Sequence, residues 1–311
     1  MSSVAVASRS FSRHPELRAL VLARYSDAKF NDDGLSLQGK SLIEFLSGYE
    51  KAITALEIID DSILSHLPNL KVISKFGVGL DMIDLHDLKK YGIKLGWTGG
   101  VNKRSVSELV VSFAVALIHR AVFANSEVKK GKWYQVKGRQ LSKCTFGIIG
   151  CGHIGKDLVK LLKPFDCKIL AHDIRNFKEF YKKNKVKSVG IEELIKKSDV
   201  VTLHLPLNES TKNFMNEERL QMLKSNAILI NLARGGLIDE DVLKKRVLEK
   251  RIAGAALDVF EIEPPIDKEL LTMDNVLITP HIGGSTEEAI LAMGVAAIEG
   301  LDNAKDPLKF I

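Results

Sequence analysis

The sequence contains few cysteines and no long apolar run, and both features limit the class of protein. The three cysteines, Cys144, Cys151 and Cys167, lie outside any CxxC pair. An odd number argues against a disulfide framework, and no Cys or His pair has the spacing of zinc ligands, so we expect reduced thiols and no metal site. No apolar run approaches the roughly 18 residues of a membrane span, and the apolar patch before Arg9 is too short for a secretory signal. We therefore expect a cytoplasmic protein with no membrane partner.

Aromatic residues are also scarce, at 6% of the chain, which affects how the net charge of +6 is interpreted. A basic protein can attract nucleic acid or a small anion. The densest basic run, between Lys182 and Lys187, has no interleaved aromatics for base stacking, and the other lysines are scattered among acids. We therefore favour a solvated surface and expect no nucleic-acid partner.

The order of apolar runs predicts two α/β domains. A chain of 311 residues is longer than one core usually grows. From Thr145 onward, runs of four to seven apolar residues alternate with amphipathic helical segments, which predicts a doubly wound parallel sheet with helices on both faces. Residues 1–97 show a weaker alternation and predict a smaller α/β domain. Between them, residues 102–121 predict a helix long enough to bridge two lobes.

A glycine-rich turn precedes the first helix of the larger domain. Gly150, Gly152 and Gly155 form GxGxxG between an apolar strand and an amphipathic helix, the arrangement in which dinucleotides bind. The next strand ends at Asp173, close to the spacing expected for the acid that binds the adenosine ribose. This favours NAD over NADP, although Arg175 nearby keeps NADP as the alternative.

Three polar residues follow three different strands of the predicted sheet. Arg234, Glu263 and His281 each come just beyond an apolar run, and the carboxyl ends of parallel strands open on one crevice. A histidine can take the proton of a secondary alcohol while hydride leaves, a carboxylate can orient the ring and favour its protonated form, and an arginine suits a carboxylate. His204 also follows a strand and, on position alone, is an equal candidate for the acid/base.

Seven segments together resemble one enzyme family. They are KFGVGLDMID, TGGVNKRSVSELV, GIIGCGHIG, SDVVTLHLPLNESTKNFMN, LINLARGGLIDED, GAALDVFEIEPP and NVLITPHIGGSTEEA, and they span nearly the whole chain. The sequence resembles the D-isomer-specific 2-hydroxyacid dehydrogenases, most closely the D-3-phosphoglycerate dehydrogenases. The resemblance implies a Rossmann NAD-binding domain over residues 101–285. It also implies that this domain is inserted in a smaller, flavodoxin-like substrate-binding domain formed by residues 1–100 and 286–311.

The resemblance also assigns roles to individual residues. It implies His281 as the acid/base rather than His204, Glu263 as its partner and Arg234 as a substrate-binding arginine. It implies that the substrate carboxylate is held by Gly77, Val78 and Gly79, with Asn102 nearby. The implied NAD contacts are Gly150, Gly152, His153, Ile154, Gly155, Asp173, Leu205, Pro206, Leu232, Ala233, Asp258 and Gly283, with Asp258 accepting from the nicotinamide carboxamide.

The expected activity is interconversion of a small D-2-hydroxy acid, first of all 3-phosphoglycerate, and its 2-keto acid with NAD. A glyoxylate or hydroxypyruvate reductase is the alternative within the family, and an NAD-gated corepressor-like binding protein is the alternative outside it. The family also implies a homodimer, for which Trp133 is either an interface anchor or an ordinary core aromatic. Met82 and Gly99 depart from the asparagine and proline common in the family, which leaves the geometry of the substrate loop and hinge open.

Overall fold

The computed structural model describes residues 3–133 and 135–310. The chain forms two compact units, one of Met1–Asn102 with Glu287–Ile311 and one of Lys103–Thr286. The β-strands of the described residues, in chain order, are β1 Val4–Val6, β2 Lys29–Phe30, β3 Lys51–Thr54, β4 Val72–Lys75, β5 Lys94–Gly96, β6 Thr145–Ile149, β7 Lys168–His172, β8 Lys187–Ser188, β9 Val200–Leu203, β10 Ile228–Asn231, β11 Gly254–Leu257 and β12 Val276–Ile278. The α-helices are α1 Arg9–Arg13, α2 Pro15–Arg24, α3 Gly39–Leu46, α4 Asp61–Leu64, α5 Leu85–Lys90, α6 Lys103–Ile118, α7 Ala121–Lys129, α8 His153–Leu162, α9 Lys178–Lys183, α10 Ile191–Lys197, α11 Glu217–Gln221, α12 Glu240–Leu248, α13 Lys268–Leu271 and α14 Glu287–Gly300.

The larger unit is built on a seven-stranded parallel sheet in the order β12-β11-β10-β9-β6-β7-β8. Counted from β6, this is the dinucleotide-binding order 3-2-1-4-5-6 with one strand added at the far edge. The order reverses between β6 and β9, and a crevice for ligands forms beyond the carboxyl ends of the strands at such a point.

Both faces of this sheet are covered, as the alternation of apolar residues predicts. Phe146 and Ile148 pack into a core with α6 and α8, whereas Ile149 packs into a second core with α10 and α12. Successive strand residues point to opposite faces, so one strand contributes to both cores. The predicted doubly wound fold class is confirmed.

The smaller unit contains a five-stranded parallel sheet in the order β2-β1-β3-β4-β5. This is the flavodoxin-like order, in which the direction of winding changes between β1 and β3. Helix α14, from the end of the chain, belongs to this unit, and its Ala297 and Ile298 pack with Val4, Val6 and Phe11.

The helix predicted over residues 102–121 is shorter in the structure. Helix α6 ends at Ile118, and Arg120 adopts a left-handed conformation with φ 56° before α7 begins. A residue in left-handed geometry cannot continue a right-handed helix. The helix therefore ends before the apolar pattern does. In the described residues no single helix is long and apolar enough to cross a membrane; only α6 and α7 taken together, bent by 63°, meet that criterion of length and composition.

Candidate active site

The glycine-rich turn connects β6 to α8. Close backbone packing within the protein requires glycine at two of its three glycine positions. Gly150 has φ 90°, and a Cβ placed there would lie 2.4 Å from the His204 carbonyl oxygen. A Cβ at Gly155 would lie 2.4 Å from the Gly150 carbonyl oxygen, so the turn and the helix could not pack as closely. At Gly152, by contrast, a Cβ would meet nothing within 4 Å. The space above Gly152 is therefore open on the side where the sequence predicts a pyrophosphate.

The N-terminus of α8 is suited to an anion. Gly152 caps this ten-residue helix and offers no side-chain acceptor to its first N–H groups. No acidic residue lies in the first turn, so the partial positive charge of the helix end is not neutralised there. Backbone N–H groups arranged in this way bind phosphate. The residues present fit a dinucleotide, and predicted contacts His153 and Ile154 begin this helix.

Asp173 lies directly beside the glycine-rich turn. Its Oδ2 accepts from the Cys151 N–H at 2.6 Å and its Oδ1 from the Arg175 N–H at 2.7 Å. A carboxylate has about four acceptor positions, so two backbone bonds fix its orientation and leave capacity for a ribose diol. The Cys151 side chain is buried, which raises the pKa of its thiol to about 11 and keeps it protonated.

The turn that carries Arg234 follows β10 and is shaped by Asn231. The Asn231 side chain donates to the Arg234 carbonyl oxygen at 2.8 Å and accepts from the Ala233 N–H at 3.1 Å. A Cβ at Gly235 would lie 1.9 Å from the Phe260 carbonyl oxygen. Only glycine permits this approach, which brings the Arg234 turn against the segment after β11.

That segment carries Glu263, which contacts His281 directly. Glu263 Oε2 lies 2.9 Å from His281 Nδ1, and its Oε1 accepts from the Phe260 N–H at 3.2 Å. A carboxylate bonded to one ring nitrogen fixes the orientation of the imidazole and leaves Nε2 for a substrate proton. Both side chains are partly exposed, as a residue that exchanges a proton with a ligand must be.

A buried carboxylate holds the loop in which His281 lies. Asp258, only 1% exposed, accepts at Oδ1 from Thr279 Oγ1 at 2.5 Å and from the Ile282 N–H at 2.7 Å, and at Oδ2 from the Gly283 N–H at 2.8 Å. His281 itself has φ 55°, a conformation that costs free energy for a non-glycine residue and persists only where its surroundings impose it. The resemblance implies that Asp258 also accepts from the nicotinamide carboxamide, which stays a prediction; the structure shows the same carboxylate bonded to the loop.

Two residues of this loop network were not singled out from the sequence. Thr279 donates to Asp258, and Ser105 Oγ donates to the Gly283 carbonyl oxygen at 2.6 Å. Thr279 directly follows β12, so its position beyond a strand end was a usable signal. Ser105 lies in the first turn of α6, where no sequence pattern marks a tertiary hydrogen bond.

His204, the alternative acid/base, lies in a different environment. Its Nε2 is 3.2 Å from Thr202 Oγ1, and its buried Nδ1 has no hydrogen-bond partner within the part of the chain that the structure describes. Burial lowers the pKa of His204 to about 3. Such a group stays neutral near pH 7 and is a poor general acid or base there, which favours His281.

This burial predicts a contribution of His204 to the pH dependence of stability. Below a pH of about 6.5, the unfolded state binds a proton that the folded state takes up only near pH 3, so the free energy of unfolding falls as the pH is lowered through this range. Between pH 7 and pH 4.5 the loss should be about 2 to 3 kcal/mol greater in the wild type than in His204→Gln. Urea unfolding at the two pH values measures it, and equal losses would contradict the prediction. His66→Gln, at an exposed histidine, is the control.

The other predicted cofactor contacts are distributed along the same strand ends. Leu205 and Pro206 follow β9, and Leu232 and Ala233 follow β10, where both are buried. Together with Asp258 and Gly283, they lie in the unit that carries the glycine-rich turn.

The predicted substrate loop lies in the smaller unit, beyond β4. Gly77 has φ 119°, a value that L side chains rarely adopt, and the Trp97 indole donates to the Val78 carbonyl oxygen at 3.1 Å. Asn102 is buried, and its Oδ1 has no partner among the described residues. This loop belongs to the smaller unit, whereas Arg234, Glu263 and His281 belong to the larger one.

The two departures from the family pattern have different surroundings. A Cβ at Gly99 would lie 2.8 Å from Cη2 of the Trp97 ring, so a larger residue there would require the ring to shift. The side chain of Met82 is exposed, while its carbonyl oxygen accepts from the Ile59 N–H at 2.8 Å. The backbone bond at Met82 does not depend on the identity of the side chain.

A dinucleotide-binding sheet whose strand ends carry a carboxylate-supported histidine and an arginine is the arrangement of a nicotinamide-dependent oxidoreductase. The model of the D-isomer specific 2-hydroxyacid dehydrogenase NAD binding domain matches residues 111–283. The chain is 40% identical over 236 residues to the hydroxypyruvate reductase of Thermotoga maritima, covering 74% of this chain and 76% of that protein. It is also 40% identical over 245 residues to the D-3-phosphoglycerate dehydrogenase of Methanocaldococcus jannaschii, covering 76% of this chain and 46% of that protein. It therefore spans about half of the latter.

Among solved structures, the D-lactate dehydrogenase of Aquifex aeolicus, complexed with NAD and lactic acid, has a TM-score of 0.83 and 27% identity, covering 97% of this chain and 94% of that one. The chain belongs to the D-isomer specific 2-hydroxyacid dehydrogenase family. The protein is an NAD-dependent D-2-hydroxyacid dehydrogenase, so the resemblance and the cofactor stated from the sequence are confirmed. The corepressor alternative is not favoured, because these relatives are named as enzymes.

The position of Asp173 predicts how cofactor preference responds to mutation. Asp173→Asn keeps an acceptor but removes the charge that opposes a 2′-phosphate, so the ratio of kcat/KM with NAD to that with NADP should fall about tenfold or more. Steady-state kinetics with both cofactors measure the ratio. Glu179→Gln removes an exposed charge elsewhere in the same unit and should leave it unchanged. An unaltered ratio in Asp173→Asn would contradict the role.

Proposed function

We propose that the protein interconverts a small D-2-hydroxy acid and its 2-keto acid through His281, Glu263 and Arg234, and that 3-phosphoglycerate is the first candidate substrate. The observation that carries the proposal is the 2.9 Å contact between His281 Nδ1 and Glu263 Oε2, on loops anchored to the carboxyl ends of the NAD-binding sheet.

The arrangement supports a defined set of steps. In the oxidising direction, His281 Nε2 takes the hydroxyl proton as the hydride on the same carbon departs, and the C–O bond becomes a carbonyl. NAD, when bound, supplies the hydride acceptor. Glu263 stabilises the imidazolium that results, and Arg234 binds the substrate carboxylate and polarises the neighbouring carbonyl in the reverse reaction. The Gly77–Gly79 backbone is proposed as the second carboxylate contact.

The contacts proposed for NAD divide between the two ends of the cofactor. The turn Gly150–Gly155 and the start of α8 would receive the pyrophosphate, and Asp173 would accept from the adenosine ribose. Leu205 and Pro206 are proposed beside adenosine, and Leu232, Ala233 and Gly283 beside nicotinamide.

The relatives support two candidate reactions. Similarity to a D-3-phosphoglycerate dehydrogenase supports 3-phosphoglycerate, whose oxidation would serve serine biosynthesis. Similarity to a hydroxypyruvate reductase, of which the chain covers 76%, supports hydroxypyruvate or glyoxylate reduction. We test the function by NADH formation with a panel of D-2-hydroxy acids and their L-enantiomers. Turnover of D-enantiomers is expected, and a folded, NAD-binding protein that turns over none of them would overturn the proposal.

We also propose a cytoplasmic homodimer, with Trp133 as an interface anchor. Trp133 is 89% exposed, so the core-aromatic alternative is wrong, and an exposed tryptophan is typical of interface anchors. Sedimentation equilibrium should show a dimer for the wild type and a weaker dimer for Trp133→Ala. A monomeric wild type would overturn this proposal without affecting the catalytic one.

A further inference from the structure

The smaller unit has a cavity at the carboxyl edge of its own sheet. The cavity measures about 160 Å³, and its polar lining comes from Ser8, Arg9, Ser10, Ser36, Gln38 and Glu57. These residues follow β1, β2 and β3, so the cavity lies where the winding of the sheet reverses, the usual place for a ligand in this topology. A cavity on the order of 150 Å³ holds a molecule the size of benzene, so this one admits a chain of a few carbon and oxygen atoms.

The lining of this cavity, hereafter the Arg9 cavity, is rich in hydrogen-bonding groups. The side chains of Arg9 and Ser10 are exposed, and the Arg9 guanidinium, which has five N–H donors, donates to Ser36 Oγ at 3.2 Å. Glu57 is only 7% exposed, and its Oε2 accepts from the Ala55 N–H at 2.5 Å. Within the described ranges, neither Arg9 nor Glu57 forms an ion pair with the protein. A cation with spare donors and a buried carboxylate with spare acceptor positions therefore share one cavity.

The cavity is next to the loop proposed for the substrate carboxylate. Strand β3 pairs with β4 in parallel, with Thr54 opposite Lys75, so the cavity-lining residues after β3 neighbour Gly77 after β4. The Lys75 ammonium connects the two segments: it donates to the Ala55 carbonyl oxygen and lies 3.9 Å from a Cβ placed at Gly77. Adjacent strands are about 4.8 Å apart, so a group one or two strands away from the carboxylate is about 5 to 10 Å from it.

We propose that the Arg9 cavity binds the oxygen-bearing distal group, hydroxyl or phosphoryl, of a 2-hydroxy acid with at least three carbons. The inference rests on the proposed function, because it takes the substrate carboxylate to lie at Gly77–Gly79. A two-carbon acid held there has no atom to place in the cavity. A three-carbon acid points its third carbon and the oxygen substituent toward the cavity, and a hydrogen bond of about 3 Å from the long Arg9 side chain spans the remaining distance.

Recognition would use the two charged residues differently. The Arg9 guanidinium donates to either kind of distal oxygen, and its fork suits the oxygens of a phosphoryl group. The Glu57 carboxylate accepts from a distal hydroxyl but repels a phosphoryl dianion. The same cavity therefore selects against two-carbon acids through Arg9 and discriminates between hydroxyl and phosphoryl groups through Glu57.

The test is steady-state oxidation of glycolate, D-glycerate and 3-phospho-D-glycerate with NAD by the full-length protein and its variants. Arg9→Ala should lower kcat/KM about tenfold or more for the three-carbon acid that the wild type prefers, chiefly by raising KM. Its kcat/KM for glycolate should stay within about twofold of the wild-type value. Arg13→Ala is the matched control: it removes the same exposed charge from the same helix and lies outside the cavity lining. It should leave kcat/KM unchanged for all three substrates.

Glu57→Gln, which preserves shape, identifies the distal group. A fall in kcat/KM for D-glycerate supports a hydroxyl, and a rise for 3-phospho-D-glycerate supports a phosphoryl. The inference is overturned if Arg9→Ala and Arg13→Ala have the same kcat/KM for three-carbon acids, or if Arg9→Ala lowers kcat/KM for glycolate by an equal factor. It is also overturned if the wild type has a higher kcat/KM for glycolate than for the three-carbon acids. A wild type that binds NAD and oxidises none of the three, nor any other D-2-hydroxy acid, overturns the proposed function itself.

Discussion

Replacement of His281 by alanine is expected to lower kcat by a factor on the order of 10² to 10⁴, because the alcohol proton then has no positioned acceptor as hydride leaves. Glu263 holds the ring at 2.9 Å through Nδ1, and Asp258 fixes the loop through three hydrogen bonds, so the loss should come from the imidazole and not from a displaced loop. The affinity for NAD should stay within about twofold, since its proposed phosphate contacts lie on the glycine-rich turn. Stopped-flow or steady-state kinetics measure kcat, and fluorescence titration measures NAD binding.

The control is His86→Ala, at an exposed histidine of the smaller unit. It should leave kcat unchanged. Full turnover by His281→Ala would remove the role assigned to His281, and His204→Ala would then have to be examined despite the lowered pKa of that side chain.

The second large effect is expected at Gly152. A valine there would occupy the open space above the turn, where nothing lies within 4 Å of a Cβ, and would keep the pyrophosphate away from the backbone N–H groups. Losing two hydrogen bonds to a charged phosphate, each about 1.5 to 3 kcal/mol, raises the Kd for NAD about 100-fold or more. Because the Cβ position of Gly152 contacts no protein atom, the variant should remain folded, which circular dichroism checks.

Gly190→Val provides the matched control for this variant. Gly190 also caps a helix of the same unit, has φ −65°, and has nothing within 4 Å of a Cβ. Calorimetric titration with NAD should give wild-type affinity for Gly190→Val and a large loss for Gly152→Val. Equal affinities would contradict a pyrophosphate at this turn.

The fold could be predicted from the sequence where local pattern and tertiary structure agree. Parallel strands buried on both faces must be apolar throughout, and this is visible in runs such as Phe146–Ile149, whose residues pack into two separate cores. The helix end at Ile118 could not be predicted, because Val and Ala residues continue past it and the left-handed Arg120 leaves no sequence signal. The two-residue strands β2 and β8 are too short to show a period.

The positions of the candidate residues after their strands could be predicted from the sequence, whereas the bonding around them could not, and their roles stay predictions. Arg234, Glu263 and His281 could be found because parallel strands deliver the residues that follow them to one edge. The close approach of Gly235 to Phe260, the bonding of Asp258 to three donors, and the polar cavity at Arg9 all depend on contacts between segments far apart in the chain. No local spacing encodes such contacts, so the structure was needed to find them.

The most direct test of the account is a crystal structure of the protein with NADH and a non-reacting 2-keto acid analogue such as oxamate. The account predicts the pyrophosphate against Gly152 and the N-terminus of α8, the adenosine ribose bonded to Asp173, and the analogue within hydrogen-bonding distance of His281 Nε2. A dinucleotide bound away from the glycine-rich turn, or a nicotinamide ring at the opposite edge of the sheet from His281, would contradict it.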